Sequence, residues 1–451
     1  MDAHTPERNG GSLNITVQPG ALTGEVRAPA SKSEAHRALI CAAFAPGTTD
    51  LACSTTSADI DATVRCLEAL GARVTRTRVG FRVRPVPGSS ATDNVPSPHA
   101  NATLDCGESG STLRFMLPVA CALGTGASLV GRGRLPERPL SPLYEELVAH
   151  GAELSPQGQM PLEVAGRLRP GRYELPGNVS SQYVSGLLLA APLLRAPVEV
   201  VVTEPVESRP YIDLTAYVLE RFGVEVTCER RMPDSGRGAL AWDVCAPNGL
   251  TSPGSLEVGG DWSNAAFWFA AGALGASGVA VRGLDPRSAQ GDRRILAALS
   301  LLGAHVLRSP EGAAVRPGRL RGATLDVSDC PDLVPPLAAV AACAEGTTRI
   351  CGAARLRLKE SDRLETVTAA LRALGGSAAV TDDGLVIDGR TQLSGGTVDA
   401  ANDHRIAMMA AVLAARCASP VTILGAECAD KSYPRFYEDL TSLGGAWQKE
   451  A

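Results

Sequence analysis

The basic residues of this chain that could do chemistry stand among Ser, Gly and Pro rather than on polar helical faces. They are Lys32 and Arg37 in Ser-Lys-Ser-Glu-Ala-His-Arg, Arg114 after Gly-Glu-Ser-Gly-Ser-Thr-Leu, and Arg138 in Leu-Pro-Glu-Arg-Pro. Lys359 and Arg363 follow in Lys-Glu-Ser-Asp-Arg, Arg405 in Asn-Asp-His-Arg, and Lys431 in Asp-Lys-Ser-Tyr-Pro. Arginine gives planar two-point recognition of carboxylate or phosphate, and lysine gives a point charge that can exchange a proton. A cleft collecting both from distant parts of the chain would bind small, multiply anionic molecules. The ordinary alternative for any single arginine is a surface ion pair contributing roughly 0–1 kcal/mol.

What must position these groups is a repeat. Six Ala- and Leu-rich stretches begin near His36, Ser111, Ser181, Ser263, Asp332 and Asn402. Each is followed by an amphipathic signature that stops at a glycine: Gly71, Gly151, Gly223, Gly303, Gly375 and Gly444. A period of roughly 70–80 residues marks one supersecondary unit used six times. Helices apolar on every face belong in an interior, whereas signatures such as CLEALGARV read as outer helices capped by glycine. β-branched or alternating runs at 79–83, 198–202, 279–282 and 421–424 supply strands between them. The segments that begin the buried helices carry Ser, Asn or Asp suited to capping. A helix N-terminus also presents free N–H groups and partial positive charge, worth roughly 0.3–1 kcal/mol to a nearby anion. With a common orientation, six such ends would face one cleft.

Composition narrows the classes. In 451 residues, 45% hydrophobic and 20% charged, there is ample material for large cores, and six units divide into two groups of three. The stretch at Ser263 is dominated by Ala and Gly and contains Asn264, which argues against a membrane span. A net charge of −5 argues against general nucleic-acid affinity. Twelve cysteines without a Cys-x-x-Cys pair point to buried reduced thiols rather than disulfides or a metal cage. The first twelve residues, MDAHTPERNGGS, lack the apolar centre of a signal peptide, so a frayed tail and a cytoplasmic location are expected. No Gly-Lys dipeptide, complete dinucleotide fingerprint, His-Glu-x-x-His or Gly-x-Ser-x-Gly is present.

Taken in order, several motifs resemble those of the 5-enolpyruvylshikimate-3-phosphate (EPSP) synthase family, across about residues 17–440. They are Ser31-Lys32-Ser33 with Arg37, Cys-Gly-Glu-Ser-Gly-Ser-Thr-Leu-Arg-Phe, Ser180-Ser181-Gln182, Ser208-Arg209-Pro210-Tyr211, Lys359-Glu360-Ser361-Asp362-Arg363, Asn402-Asp403-His404-Arg405, and Lys431. The resemblance implies an α/β (α+β) fold of two domains, each of three βαβαββ units with buried helices surrounded by sheets. The first domain would cover 30–259, and the second would join 1–29 to 260–451. It also implies transfer of the enolpyruvyl (1-carboxyvinyl) group of phosphoenolpyruvate to the 5-hydroxyl of shikimate 3-phosphate, with release of phosphate, on the route to chorismate and aromatic amino acids. The expected form is a monomer needing no cofactor or metal, no nucleic acid and no membrane.

By motif, Lys32, Ser33, Arg37, Ser180, Ser181, Gln182, Ser208, Tyr211, Asp332 and Lys359 would receive shikimate 3-phosphate. Lys32, Gly110, Arg138, Gln182, Arg363, Arg405 and Lys431 would surround phosphoenolpyruvate, with Gly110 allowing close backbone approach. Asp332 would be the base on the 5-hydroxyl, and Glu360 and Lys32 would handle protons at the methyl carbon and the leaving phosphate. Read without the resemblance, Asp332 after Pro331 is equally a helix cap, and Lys359 and Arg363 flank a surface ion-pair lattice.

Three features depart from the family pattern. Arg355 stands where an Asn commonly touches the shikimate ring, so the ring is gripped differently or Arg355 turns away. Glu34-Ala35-His36 replaces a Val-Ser-Asn type of segment, and Trp262 is bulky for a hinge. The nearest rival is the enolpyruvyl transferase acting on UDP-N-acetylglucosamine, which has Lys-Asn at Lys32-Ser33 and a reactive loop cysteine. A rival of another class is a non-catalytic, anion-binding repeat protein.

Overall fold

The computed structural model describes residues 13–88, 95–232 and 238–450; the polar segment 1–12 discussed above lies outside them. In chain order the six units give α1 (Lys32–Phe44) and α2 (Ala58–Ala69), α3 (Gly110–Leu123) and α4 (Leu143–Ala149), α5 (Ser181–Leu194) and α6 (Arg209–Arg221). The remaining three give α7 (Trp262–Leu274) and α8 (Ile295–Leu301), α9 (Val334–Ala341) and α10 (Arg363–Ala373), α11 (His404–Leu413) and α12 (Phe436–Ser442). The odd-numbered helices are the apolar stretches, and every residue of α7, α9 and α11 is buried. The even-numbered ones bury a single face, as α2 does through Ile60, Ala62, Thr63, Cys66 and Leu67. All six signature glycines have positive φ, from 77° at Gly223 to 106° at Gly71, the conformation that ends a helix and turns the chain into a strand.

Each unit belongs to a four-stranded sheet of one recurring order. In the third, Gly171–Pro176 runs parallel to Val198–Thr203, which pairs antiparallel with Ala239–Val244, itself antiparallel to Val226–Arg231. The other five sheets repeat this arrangement. In the second, third, fifth and sixth units the buried helix joins the two parallel strands and is the crossover of a βαβ unit.

The two halves exchange strands. Thr23–Arg27, just before α1, pairs with Gly278–Arg282 of the fourth unit, and Ser255–Glu257, just before α7, pairs with Thr49–Ala52 of the first. Ile15–Val17 completes the sixth sheet between Val421–Leu424 and Trp447–Lys449. The crossing segments touch: the Ser31 N–H donates to the Gly259 carbonyl at 2.7 Å, and the Asp261 N–H to that of Pro29 at 2.8 Å. Two large hydrophobic cores result, one drawn from residues 30–258 and the other from 15–28 with 262–443.

Several expectations shift in detail. The first buried helix begins at Lys32 rather than near His36, because the Ser31 hydroxyl caps it by accepting from the Glu34 N–H. Trp262 is packed in the second core, its indole donating to the Asp285 carbonyl at 3.2 Å. Cys41, Cys121, Cys343 and Cys417 are buried and free, but Cys228 and Cys245 are exposed, so burial does not describe all twelve thiols. Among the described residues no helix is long and apolar enough to cross a membrane.

Candidate active site

The N-terminal ends of all six buried helices line one solvent-connected cavity between the two cores. Ser31, Ser109, Ser180, Asp261 and Asp403 cap α1, α3, α5, α7 and α11, each accepting from a backbone N–H of its own helix. Asp332 breaks the pattern. It lies in the 3-10 turn Pro331–Leu333 ahead of α9 and caps nothing. Its Oδ1 accepts from Arg363 Nη1 at 2.9 Å, its Oδ2 from Arg405 Nη2 at 3.2 Å, and Lys359 Nζ stands 3.5 Å from Oδ1. Burial opposes ionisation, but Arg405, Lys359 and Arg363 together hold this carboxyl far below the usual carboxylate range.

Glu360 completes the acidic pair. Its Oε2 accepts from Arg363 Nη2 at 2.6 Å, and its Oε1 lies 3.9 Å from Arg138 Nη1 of the other lobe. Despite burial, Arg363 and Arg138 keep it ionised well below its ordinary value. Arg363 is 1% exposed and also forks onto Asp403 at 2.9 and 3.1 Å, so it is no part of a surface lattice. Lys32 donates to Asp59 at 2.8 Å; burial opposes its charge, but Asp59 and Glu360 raise it above the ordinary lysine value.

On the first lobe, Arg37 donates to Thr215, Ser185 and the carbonyls of Ser33 and Tyr211 and stacks 4.8 Å from the Phe115 ring centroid. Arg114 donates to Gln182 at 2.8 Å, which in turn donates to Ser111 at 2.8 Å. Arg138 is buried with its Nε unpartnered. Its guanidinium lies flat against Gly110, where a Cβ would come within 2.5 Å of Nη1. Glycine at 110 thus makes room for Arg138 itself. The Tyr211 hydroxyl donates to Asp292, whose carboxyl is pushed up to about 7 by burial and by the negative charge of Asp332.

Lys32, Ser33, Arg37, Gly110, Arg138, Ser180, Ser181, Gln182, Ser208, Tyr211, Asp332, Lys359, Glu360, Arg363 and Arg405 all line this cavity. Lys431 stands beside the lining residue Ser432, donating to Glu108 and to the Asn402 carbonyl. The lining also includes Arg114, which the sequence reading named as a candidate cation without assigning it a ligand, and Asp59, Asp261, Ser263, Arg355 and His404, which were left out of the expected site. His404 sits inside a quoted motif and could have been found there; Asp59 carries no local signal. Arg355 faces the cavity, paired with Glu207 and donating to Ser208 Oγ at 3.0 Å and the Ser328 carbonyl at 2.8 Å. Neither ring nitrogen of buried His404 has a hydrogen-bond partner, and burial, Lys32 and Arg405 keep the ring neutral. Among the described residues no group of three or more His, Cys, Asp or Glu is placed to hold a metal ion.

The ionised pair Asp332 and Glu360, with two lysines and six arginines lining the same cleft, suits proton transfer on a polyanionic substrate pair. Comparison with known proteins agrees with that chemistry. The sequence model of EPSP synthase (3-phosphoshikimate 1-carboxyvinyltransferase) matches residues 17–440. Proteins named 3-phosphoshikimate 1-carboxyvinyltransferase from Clostridium kluyveri and Clostridium perfringens strain 13 are 39% and 37% identical. The alignments cover 96% and 97% of this chain and 97% and 99% of theirs. The EPSP synthase structure from Acinetobacter baumannii superposes with a TM-score of 0.77 at 25% identity, over 97% of this chain and all of that one. The enolpyruvyl transferase NikO from Streptomyces tendae shares the fold, with a TM-score of 0.71 at 19% identity over 98% of this chain and 99% of its own. The chain belongs to the EPSP synthase family.

Proposed function

We propose that the chain transfers the enolpyruvyl group of phosphoenolpyruvate to the 5-hydroxyl of shikimate 3-phosphate, releasing phosphate. The lobes that close on the substrates are 30–259 and 1–29 with 260–451, a division supported by the exchanged strands and the two cores. The observation that carries the reading is the convergence of Asp332 and Glu360 on Arg363, facing Lys32 and Arg138 from the other lobe.

In the forward reaction Asp332 takes the proton of the 5-hydroxyl as its oxygen attacks C2 of phosphoenolpyruvate. C3 gains a proton and becomes a methyl group. The tetrahedral adduct then loses phosphate and a methyl proton, leaving the enolpyruvyl ether. Glu360 and Lys32 serve the proton steps at the methyl carbon and the departing phosphate. Arg405, Lys359 and Arg363 hold Asp332 too weakly basic for this work until the substrates' anionic groups draw on the same cations. Binding of phosphoenolpyruvate at Arg363 and Arg405, and of shikimate 3-phosphate at Lys359, is thereby coupled to activation of the base. Ser180, Ser181, Gln182, Ser208 and Tyr211 receive shikimate 3-phosphate with Ser33, Arg37 and Lys359. Gly110, Arg138, Gln182, Arg363, Arg405 and Lys431 surround phosphoenolpyruvate.

Phosphate release measured with each acceptor tests the reading. Turnover with shikimate 3-phosphate and none with UDP-N-acetylglucosamine is expected; the reverse, or no turnover with either, overturns it.

A further inference from the structure

Lys431 is held by a carboxylate that the reaction above does not use. Glu108, in the loop leading into α3 on the first lobe, reaches across the cleft to the second. Its Oε2 accepts from Lys431 Nζ at 2.5 Å and from Asn402 Nδ2 at 2.8 Å, while the same ammonium donates to the Asn402 carbonyl at 2.9 Å. The backbone around this triangle leaves space for it. Asn402 is in the left-handed region at φ 55°, and a Cβ on Gly133 would stand 2.9 Å from the Glu108 carboxyl carbon. The Lys431 side chain is 15% exposed and that of Glu108 34%, so an anion entering from solvent can exchange for the carboxylate.

We propose that Glu108 is a positioning residue that sets the affinity of the phosphoenolpyruvate subsite by occupying Lys431 until the substrate's phosphate displaces it. This rests on the reading that Lys431 contacts that phosphate. An ammonium already paired gains less from a new anion than a free one, and the arriving phosphate also meets the charge of Glu108. Because its partners lie on the opposite lobe, the same contact clasps the cleft. Among the described residues Glu108 Oε2 accepts from Lys431 and Asn402, neither of them assigned to shikimate 3-phosphate, so its influence falls on one substrate only.

Glu108→Gln removes the charge and keeps an acceptor for Asn402. The expected result is a KM for phosphoenolpyruvate lowered roughly two- to fivefold, the upper part of the range of an exposed ion pair. kcat should stay within about twofold, and KM for shikimate 3-phosphate should be unchanged. Calorimetric binding of phosphoenolpyruvate with shikimate 3-phosphate present should show the same gain, and Lys431→Met should abolish it. Small-angle scattering without substrates should give a larger radius for Glu108→Gln. Should that variant fail to fold, Glu108→Asp, which shortens the reach, gives the same direction with a smaller size. An unchanged or raised KM for phosphoenolpyruvate, or a gain that persists in Lys431→Met, overturns the proposal. Normal wild-type turnover with an unshifted variant counts against Glu108 alone, whereas a wild type inert toward both substrates counts against the function and the proposal with it.

Discussion

Arginines of the two lobes reach the same cavity on different terms. Arg37 and Arg114 donate to hydroxyls, carbonyls and an amide, lie over Phe115 and Tyr183, and are each lowered to about 10 by burial. Arg363 and Arg405 are likewise buried, yet Asp403, Glu360 and Asp332 raise Arg363, and Asp332 and Asp292 raise Arg405, above the ordinary arginine value. Buried charge without a counter-ion is costly, and charge balanced by carboxylates is not. The first lobe therefore stores unspent attraction for anions. The second holds Arg363 and Arg405 in balance with carboxylates that stay weakly basic until substrate anions draw on the same cations. Arg138, with a bare Nε and, among the described residues, its carboxylate partner Glu360 as far as 3.9 Å away, belongs to the unspent set.

The largest effect should come from the balanced side. Asp332→Asn should lower kcat roughly 10²- to 10⁴-fold in phosphate release at saturating substrates, with the fold checked by circular dichroism. A preserved kcat would reduce Asp332 to a counter-ion and erase the contrast between the lobes. Gly110→Ala, next in size, drives a Cβ into Arg138. Steady-state kinetics should show KM for phosphoenolpyruvate raised about tenfold or more, while that for shikimate 3-phosphate changes less than about twofold. Equal effects on both substrates would mean that Arg138 does not discriminate between them.

The remaining effect falls on stability rather than on catalysis, and concerns a buried carboxyl whose ionisation Arg37 favours. Burial raises Glu34 to about 7 in the folded protein. Unfolding between about pH 4.5 and 7 releases its proton, so this contribution to stability is fully present below about 4.5 and lost as pH rises through 7. Glu34→Gln should raise the melting temperature at pH 8, by up to about 3 kcal/mol of stability, and leave it nearly unchanged at pH 4.5. Equal shifts at both pH values would show that the carboxyl is not the cause.

Much of this was legible in the chain because local chemistry wrote it there. Helices apolar all round had to be buried, and Gly71 or Gly444 could end an outer helix only by turning left-handed. The strand exchange was not readable from periodicity. Thr23–Arg27 buries only Val26 and Ser255–Glu257 only Leu256, too little pattern to name partners some 200 residues or more away. Within the site, the motif cations and the carboxylates Asp332 and Glu360 were visible, but the carboxylates paired with Lys32 and Lys431 were not. Asp59 and Glu108 acquire meaning only once folding sets them against Lys32 and Lys431. Asp332 was ambiguous between cap and base, and its turn away from the helix end became visible only with the 3-10 geometry.

Calorimetric titration of phosphoenolpyruvate in the presence of shikimate 3-phosphate, comparing wild type with Arg138→Met, tests the difference between the lobes most directly. An unspent guanidinium predicts affinity for phosphoenolpyruvate reduced about 10- to 100-fold, with shikimate 3-phosphate binding unaltered. Undiminished affinity for phosphoenolpyruvate in that variant would contradict it.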